Sequence, residues 1–500
     1  MSEVGAPPLP LVGPVVLVGP PGAGKSTVGA LAAARLGLPF VDLDLEIGRA
    51  AGTSADEVFA GEGETSFRVR EAAALSALID GRNALIAAGA GVVDAAPNRA
   101  LLDRAHVLWL DVDDDTALAR LAGARPWLPD DRAAQRVAYR LREGRRRALR
   151  ATLARARVDG RGTPEHTAGA IAEVVAALPL PASRWRGDVL ELANVVDRSA
   201  DPLPSVLEGA LTLVDEGAPT SLPGLRLPGG EAHKSAAGLE RVLRALDEHA
   251  AEGPIVAVGG GAFLDLVGTA AALWRRGTPW IAVPSTPLAM ADAAIGGKTA
   301  IDVRDTKNAA GAFHAPLETR LSLGLLRGAS PAMITDGLAE ALKHAWLVGE
   351  ALDHERDPAR WVRSSLAIKA GVVARDPRER GLRTALNLGH TVGHALERVH
   401  GLSHGEAVRR GLLSALWLSE RVLGLDAAVS SMLRASVARL GALPPLALDE
   451  GRALATLRRD KKGGRFVLLA ALGRPVLLTP PDEAVRAALA EAARAAPESP

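Results

Sequence analysis

The chain has 500 residues, 48% hydrophobic and 23% charged, with a formal net charge of +1 and no cysteine. That length calls for two or three domains. The near-zero charge excludes a basic field for nucleic acid, and the missing thiols exclude disulfides, thiolate metal sites and a cysteine nucleophile.

In chain order, the first part alternates short apolar strands with helical patterns: "VVLVG", a helix from Lys25 to Leu36, "PFVDLD", further helices, "ALIAAG" and "HVLWLDV". Such alternation predicts a parallel sheet with helices on both faces. The proline-marked, aperiodic "ALPLPASRWRG" places the main boundary near 178–185. A second alternating stretch follows in "ALTLVDE", "PIVAVGGG" and "PWIAVPST", and from Pro331 onward the pattern is almost wholly helical. The expected organisation is an α/β parallel-sheet domain over 1–178, a Rossmann-like α/β domain over 185–330 and an all-α domain over 331–500. No run of about 18 apolar residues occurs, so no membrane span is expected. The N-terminus carries Glu3 and no basic start, which predicts a cytoplasmic protein rather than a secreted one.

"GPPGAGKST" fits the phosphate-loop spacing G-x-x-x-x-G-K-[ST] and lies between a strand and a helix. Gly22 and Gly24 let backbone N–H groups, including that of Thr27, approach phosphate oxygens; Lys25 neutralises them and Ser26 can hold Mg²⁺. "VDLD" puts Asp42 and Asp44 at the next strand end, one suited to Mg²⁺ and the other to a hydroxyl, although a helix cap is the plainer reading. "GEGETSFRVRE" supplies Arg68, and "AGAGVV" allows close backbone approach at Gly89 and Gly91.

These residues together resemble shikimate kinase, over roughly 10–178. The resemblance implies a P-loop kinase sheet, MgATP as phosphoryl donor, Asp44 at the acceptor hydroxyl, and Arg68 clamping the shikimate carboxylate. It makes Arg125, in "ARPWL", the lid arginine. The second clamp is assigned to Arg146 within "GRRRALR", with Arg145 and Arg147 as alternatives. Three departures stand out: Ala90 inside the glycine triplet, Trp127 in the lid, and the replacement of the usual segment after the lid. A gluconate-type kinase, or a degenerate nucleotide-sensing module, is the alternative.

Gly259, Gly260 and Gly261 end a strand ahead of Asp265, a turn suited to a dinucleotide pyrophosphate. Asp215 ends an upstream strand, where a ribose hydroxyl fits, and "PGGEAHK" adds Glu231 and Lys234. Residues 283–316 read as one long irregular segment carrying Ser285, Thr286, Asp292, Lys298, Lys307 and Asn308, and loops of that length are usually functional.

"GHTVGHALERVHGLSHGE" holds four of the eleven histidines. His390 and His394 are four residues apart; at about 100° per residue, one continuous helix would bring Arg383 and Asn387 into the same stripe. His404 opens a further helix, and Glu340 lies on another beside Lys343 and His344. His344 reads as a decoy at the same spacing, and His400 as a surface residue.

Residues 185–470 resemble 3-dehydroquinate synthase through GGG-x-x-x-D, P-S-T, D-x-x-x-G-G-K-T, K-N-x-x-G-x-F, G-L-A-E-x-x-K, the G-H-T-x-G-H run and H-G-E. The resemblance implies NAD, and Zn²⁺ or Co²⁺ held by Glu340, His390 and His404, with His394 as base or relay. It gives Asp215, Glu231, Lys234, the glycines 259–261, Asp265, Ser285, Thr286 and Lys307 to the cofactor. The charged substrate falls to Arg276, Lys298, Lys343, Lys369, Arg383 and Lys461 or Lys462, helped by Asp292, Asn308, Glu379 and Asn387. The implied reaction oxidises a carbinol transiently, expels phosphate, returns the hydride and closes a carbocycle. A polyol or iron-dependent dehydrogenase is the competing reading. The partners expected are small molecules, with no nucleic acid or membrane; a homodimer through the C-terminal half is a candidate assembly.

Overall fold

The structure, a computed structural model, describes residues 9–79, 83–121, 131–178, 195–197, 210–219, 221–304, 306–352, 357–459 and 464–494. The chain divides into two compact units, one formed chiefly by Met1–Pro181 and the other chiefly by Ala182–Arg378 and Ala385–Gly473.

The first unit holds five parallel strands in the order Phe40–Asp42, Leu85–Ala87, Val15–Val18, His106–Asp111, Ala156–Asp159. Val15–Val18 is central and buried at every position, which suits an all-apolar strand sandwiched between helices. Its side chains alternate between two cores: Val15 and Leu17 join Val28 and Leu108 in one, while Val16 and Val18 join Leu43 and Trp109 in the other. That is the period-2 geometry of a strand covered on both faces. The strand feeds the phosphate loop, and the helix Lys25–Leu36 begins where Gly24 takes a left-handed φ of 84°. An L side chain at that φ is strained, so glycine suits the turn.

The second unit holds six parallel strands in the order Val195–Asp197, Glu318–Leu321, Trp280–Pro284, Ile255–Gly259, Leu211–Asp215, Leu225–Leu227. Strand order reverses between Leu211–Asp215 and Ile255–Gly259, and ligands bind in the crevice at such a switch point. Asp215 and Gly259 end those two neighbouring strands. The triplet glycines have ordinary or extended backbone but no room: a Cβ on Gly259 would come within 2.9 Å of the Asp215 Cβ.

The helical part includes Pro331–Leu347, Pro358–Arg375, His390–His400 and His404–Leu418, and it also carries the strand Phe466–Ala471; the strand Arg474–Leu478 falls in the first unit, paired with Leu9–Pro10. No described helix is long and apolar enough to cross a membrane.

Three expectations need correction. Residues 298–313 are not irregular: Lys298–Val303 and Thr306–Phe313 pair as an antiparallel hairpin. The single helical stripe from Arg383 to His394 does not exist either. Leu382–Asn387 is a 3-10 turn, and Gly389, at a left-handed φ of 76°, caps a new helix that begins at His390. The break resets the rotation, so helical periodicity does not relate Arg383 and Asn387 to the histidines. His400 is half-buried rather than superficial.

Candidate active sites

The first site is a cleft of about 370 Å³ bounded by the phosphate loop, Asp42, Asp44, Arg68, the Gly89–Gly91 turn and Arg146. The Lys25 ammonium donates to the carbonyls of Gly19 and Pro20, both at 3.1 Å, folding it back over its own loop. Burial, and then the nearby Arg150 guanidinium, lower its pKa to about 8. The Tyr139 hydroxyl holds the loop by donating to the Pro21 carbonyl at 2.9 Å. Asp42 does both things weighed for it: it caps the helix Leu43–Ala51 by accepting from the N–H of Asp44 at 3.0 Å, and it accepts from the Ser26 hydroxyl at 2.5 Å. Ser26 and Asp42 are thus held together at the mouth of the phosphate loop. Asp44 follows in the first turn, and burial, then the Asp42 charge, raise its pKa. The Gly89 α-carbon faces it: an added Cβ would stand 3.0 Å from an Asp44 carboxylate oxygen.

Arg68 and Arg146 come together across Gly91, where an added Cβ would meet both guanidiniums. Arg68 donates to Glu71 at 2.9 Å and to Glu64 at 3.1 Å. Of the three adjacent arginines, Arg145 and Arg147 are exposed and Arg146 is buried. Arg146 donates to Asp94 and to Glu143. Neither Glu71 nor Asp94 stood out in the sequence, because a carboxylate three residues past an arginine, or in a turn, looks like ordinary solvated surface. Ala90 is among the residues lining the cleft, and its carbonyl accepts from Arg150 at 3.0 Å. Arg125 and Trp127 lie outside the described residues.

The second site is a cavity of about 640 Å³ whose wall includes Glu231, Lys234, Gly261, Asp265, Asp292 and Lys307, and also Asn308, His394, Glu397 and His404. Behind His404 of this wall, the buried Glu340 places one carboxylate oxygen 3.2 Å from Nε2 of both His390 and His404. The ligand atoms of these three residues all lie within 4.8 Å of one another. Three helices meet to achieve this, and Gly393 lets two of them close: an added Cβ would stand 2.7 Å from the Ala407 carbonyl oxygen. The other Glu340 oxygen accepts from Lys343. Burial pushes the Glu340 carboxyl up, but the Lys343 charge and the imidazoles outweigh it and hold it well below the usual range. Burial and the Lys343 charge push His390 down. His404 goes the other way: contacts with Glu340 and Glu397 overcome burial and lift it to about 10. Two imidazoles aimed at one buried carboxylate oxygen, with no thiol near, suit a divalent ion of the zinc type.

His394 stands beside this trio, its ring centroid 5.0 Å from that of His390, and is exposed to the cavity. His344 instead turns to the Ser365 hydroxyl at 2.7 Å and to Asp292 at 3.3 Å. Asp292 is chelated by Lys369, which reaches its carboxylate and its carbonyl, both at 2.7 Å. The Lys369 charge, against burial, holds the Asp292 carboxyl well below its usual range. On the cofactor side, Lys234 meets Asp265 at 2.6 Å and Asn308 at 2.5 Å, and Lys307 bridges Glu231 at 3.0 Å and Glu397 at 2.8 Å. Ser285 donates its N–H to the Gly259 carbonyl at 2.9 Å, and Thr286 packs beside Gly260. Glu397 was missed in the sequence: it approaches His404 Nδ1 at 3.6 Å from one helix turn beyond His394. Its only sequence signal is its place seven residues past His390.

Lys298 and Arg276 are exposed and are not among the described residues lining this cavity. Arg383 is buried and Glu379 and Asn387 half-buried in the segment leading to His390. Lys461 and Lys462 lie outside the described residues.

A phosphate loop opening on a pocket with paired arginines, followed by a dinucleotide-type switch point that leads to a His/Glu trio, defines a two-enzyme chain: a P-loop small-molecule kinase and a cofactor-dependent α/β–helical enzyme. The comparisons with known proteins name both halves. Residues 21–177 match the shikimate kinase family model, 224–335 the 3-dehydroquinate synthase N-terminal model and 337–463 its C-terminal model. The bifunctional shikimate kinase/3-dehydroquinate synthase of Thermotoga maritima is 32% identical over 425 residues, covering 80% of this chain and 83% of that protein. The 3-dehydroquinate synthase of Bordetella pertussis is 38% identical over 296 residues, covering 54% of this chain and 82% of its own. A solved 2-deoxy-scyllo-inosose synthase, complexed with carbaglucose-6-phosphate, NAD⁺ and Co²⁺, superposes with a TM-score of 0.52 at 23% identity, over 60% of this chain and 92% of that one; it supports the fold alone. The chain belongs to the bifunctional shikimate kinase/3-dehydroquinate synthase family.

Proposed function

We propose that the first unit phosphorylates shikimate from MgATP, and that the second converts 3-deoxy-D-arabino-heptulosonate 7-phosphate to 3-dehydroquinate and phosphate with NAD and one divalent ion, Zn²⁺ or Co²⁺. The observation that carries the second reading is the shared approach of His390 and His404 to Glu340.

In the first unit, Lys25 and the loop N–H groups hold the donor phosphates, with Ser26 and Asp42 at Mg²⁺. Asp44 orients the acceptor hydroxyl and takes its proton; its raised pKa brings it nearer the operating pH, where a general base works best. Arg68 and Arg146 grip the substrate carboxylate, with Arg125 as the lid contact. In the second unit, Glu340, His390 and His404 would hold the ion. Asp215, Glu231, Lys234, Asp265, Lys307 and the 259–261 turn would hold the dinucleotide. The ion supplies Lewis-acid polarisation of a substrate oxygen and NAD a reversible hydride acceptor. Lys343 and Lys369 sit where they can neutralise developing or bound negative charge, and Asp292 orients both. His394, exposed beside the trio, moves a proton between substrate and cavity water. Lys298, Asn308, Arg383, Asn387, Glu379, Arg276 and Lys461 complete the proposed binding set for carboxylate and phosphate.

The substrate's several negative charges match this concentration of cations better than a neutral polyol does, which disfavours the dehydrogenase alternative. The reading places the chain in the cytoplasm and carries a homodimer through the C-terminal half, checked by sedimentation of the full chain. The direct test is to assay one preparation for both reactions: ADP release with and without shikimate, and phosphate release from the seven-carbon phosphate before and after chelation. ADP release that ignores shikimate refutes the first assignment. Absent phosphate release from folded protein supplied with NAD and metal refutes the second.

A further inference from the structure

Behind two arginines that line the kinase cleft, Arg68 and Arg146, stands a carboxylate that is not itself part of the lining and that phosphoryl transfer does not use. Asp94 follows the glycine turn, and its N–H donates to the Gly91 carbonyl at 2.9 Å. Arg99 donates to the carbonyls of Val93 and Asp94 at 2.9 and 2.6 Å, so the main chain there is pinned. The side chain is 31% exposed and is held by arginine alone. It occupies the Arg146 edge that suits a bidentate carboxylate, with Nε donating to both its oxygens at 3.0 Å and Nη2 donating to one of them. Glu143 takes Nη1 at 3.0 Å and is itself held by Arg150 at 2.7 Å. Arg68 brings its Nη2 to 3.7 Å from the same Asp94 oxygen that Arg146 Nη2 meets. One internal carboxylate thus lies between the two arginines assigned to the substrate's carboxylate.

Burial pushes the Asp94 carboxyl up, but hydrogen bonding and charge from Arg146 more than cancel it, so Asp94 is an anion. An incoming carboxylate must therefore take Arg146 from a like-charged group already in place. Because the backbone is tied by Arg99 and the side chain opens to water, the exchange needs a χ rotation and no loop movement. Swapping one carboxylate for another leaves the net charge of the arginine pair unchanged.

We propose that Asp94 is a positioning residue that stands in for the substrate carboxylate: it holds Arg146 and Arg68 fanned for binding in the free enzyme, and the acid substrate displaces it, so that Asp94 sets the affinity for that acid. This inference rests on the reading of Arg68 and Arg146 as the carboxylate clamp. Asparagine keeps the shape of Asp94 but removes the charge, and it replaces one accepting oxygen with an NH2 that cannot accept from Arg146.

The test uses the full chain at saturating MgATP, following ADP formation against shikimate concentration in the wild type, Asp94→Asn and Asp94→Ser. The KM for shikimate is expected to fall ~3- to 10-fold in both variants, as for loss of a competing, partly exposed ion pair, with kcat moving less than about 2-fold. The KM for MgATP, which reports an intact fold, should hold. An unchanged or raised KM for shikimate, with that for MgATP unmoved, overturns the proposal and leaves Asp94 a prop for Arg146. A wild type without shikimate-dependent ADP formation removes the clamp reading itself, and the inference with it.

Discussion

In the first unit Arg68 and Arg146 are spread over several carboxylates, Glu71, Glu143 and the partly exposed Asp94 between them, whereas in the second a single buried carboxylate, Glu340, is shared by two imidazoles and the Lys343 ammonium. The kinase charges are paired off locally and can re-pair with a ligand. The synthase charges converge from three helices on one point, where removing any partner leaves the others buried and uncompensated. Loss of one residue should therefore be graded in the first unit and close to all-or-none in the second.

The largest effect is expected at that point of convergence. Glu340→Gln should lower phosphate release on the order of 10³-fold, matching several kcal/mol of lost Lewis-acid assistance, and should abolish metal retention while shikimate-dependent ADP release from the same sample persists. A Glu340→Gln protein that keeps its metal and its rate would erase the contrast between the units.

An intermediate effect is expected one shell out. Glu397 approaches His404 Nδ1 and takes Lys307, so Glu397→Gln should weaken metal binding ~10-fold, the usual cost of losing a carboxylate behind a ligating histidine. Competition with a coloured chelator reads this directly, and an unchanged affinity would confine the convergence to Glu340.

The smallest effect is a pH dependence in the kinase. Lys25 is a cation below its pKa and neutral above it; with that pKa lowered to about 8, kcat/KM for MgATP should be full below pH 8, halve near it and keep falling as the pH rises. The acid limb comes from Asp44, whose raised pKa moves the loss of its base form above the ordinary aspartate range. A kcat/KM for MgATP flat through pH 9 would show that Lys25 is not the group contacting phosphate.

The two units were not equally legible from sequence. The phosphate loop, Asp42 and Asp44 are local: glycine spacing and strand ends determine them, and the helix Lys25–Leu36 has the bounds its pattern implies. The 259–261 turn was visible as glycines, but its reason is close packing against Asp215 and Phe263 rather than a left-handed backbone, and packing partners distant in sequence leave no local mark. The histidine wheel failed because a periodic pattern carries no sign of the break at Gly389. The hairpin of 298–313 went unread because its strands are largely exposed and rich in Ala, with few strong strand formers, which weakens the period-2 contrast. Asp94 and Glu397 were overlooked for one shared reason: a carboxylate gains meaning only from the cation facing it, and each faces one supplied by folding; Glu71 was overlooked because its i,i+3 arginine looks like an ordinary surface pair.

X-ray absorption at the zinc edge of the full chain, loaded with one equivalent of zinc, tests the convergence most directly. The account predicts two imidazole nitrogens and carboxylate oxygen at ~2.0–2.2 Å, with the imidazole signal halved in His404→Asn. A shell without imidazole, or one unaltered by that substitution, would contradict it.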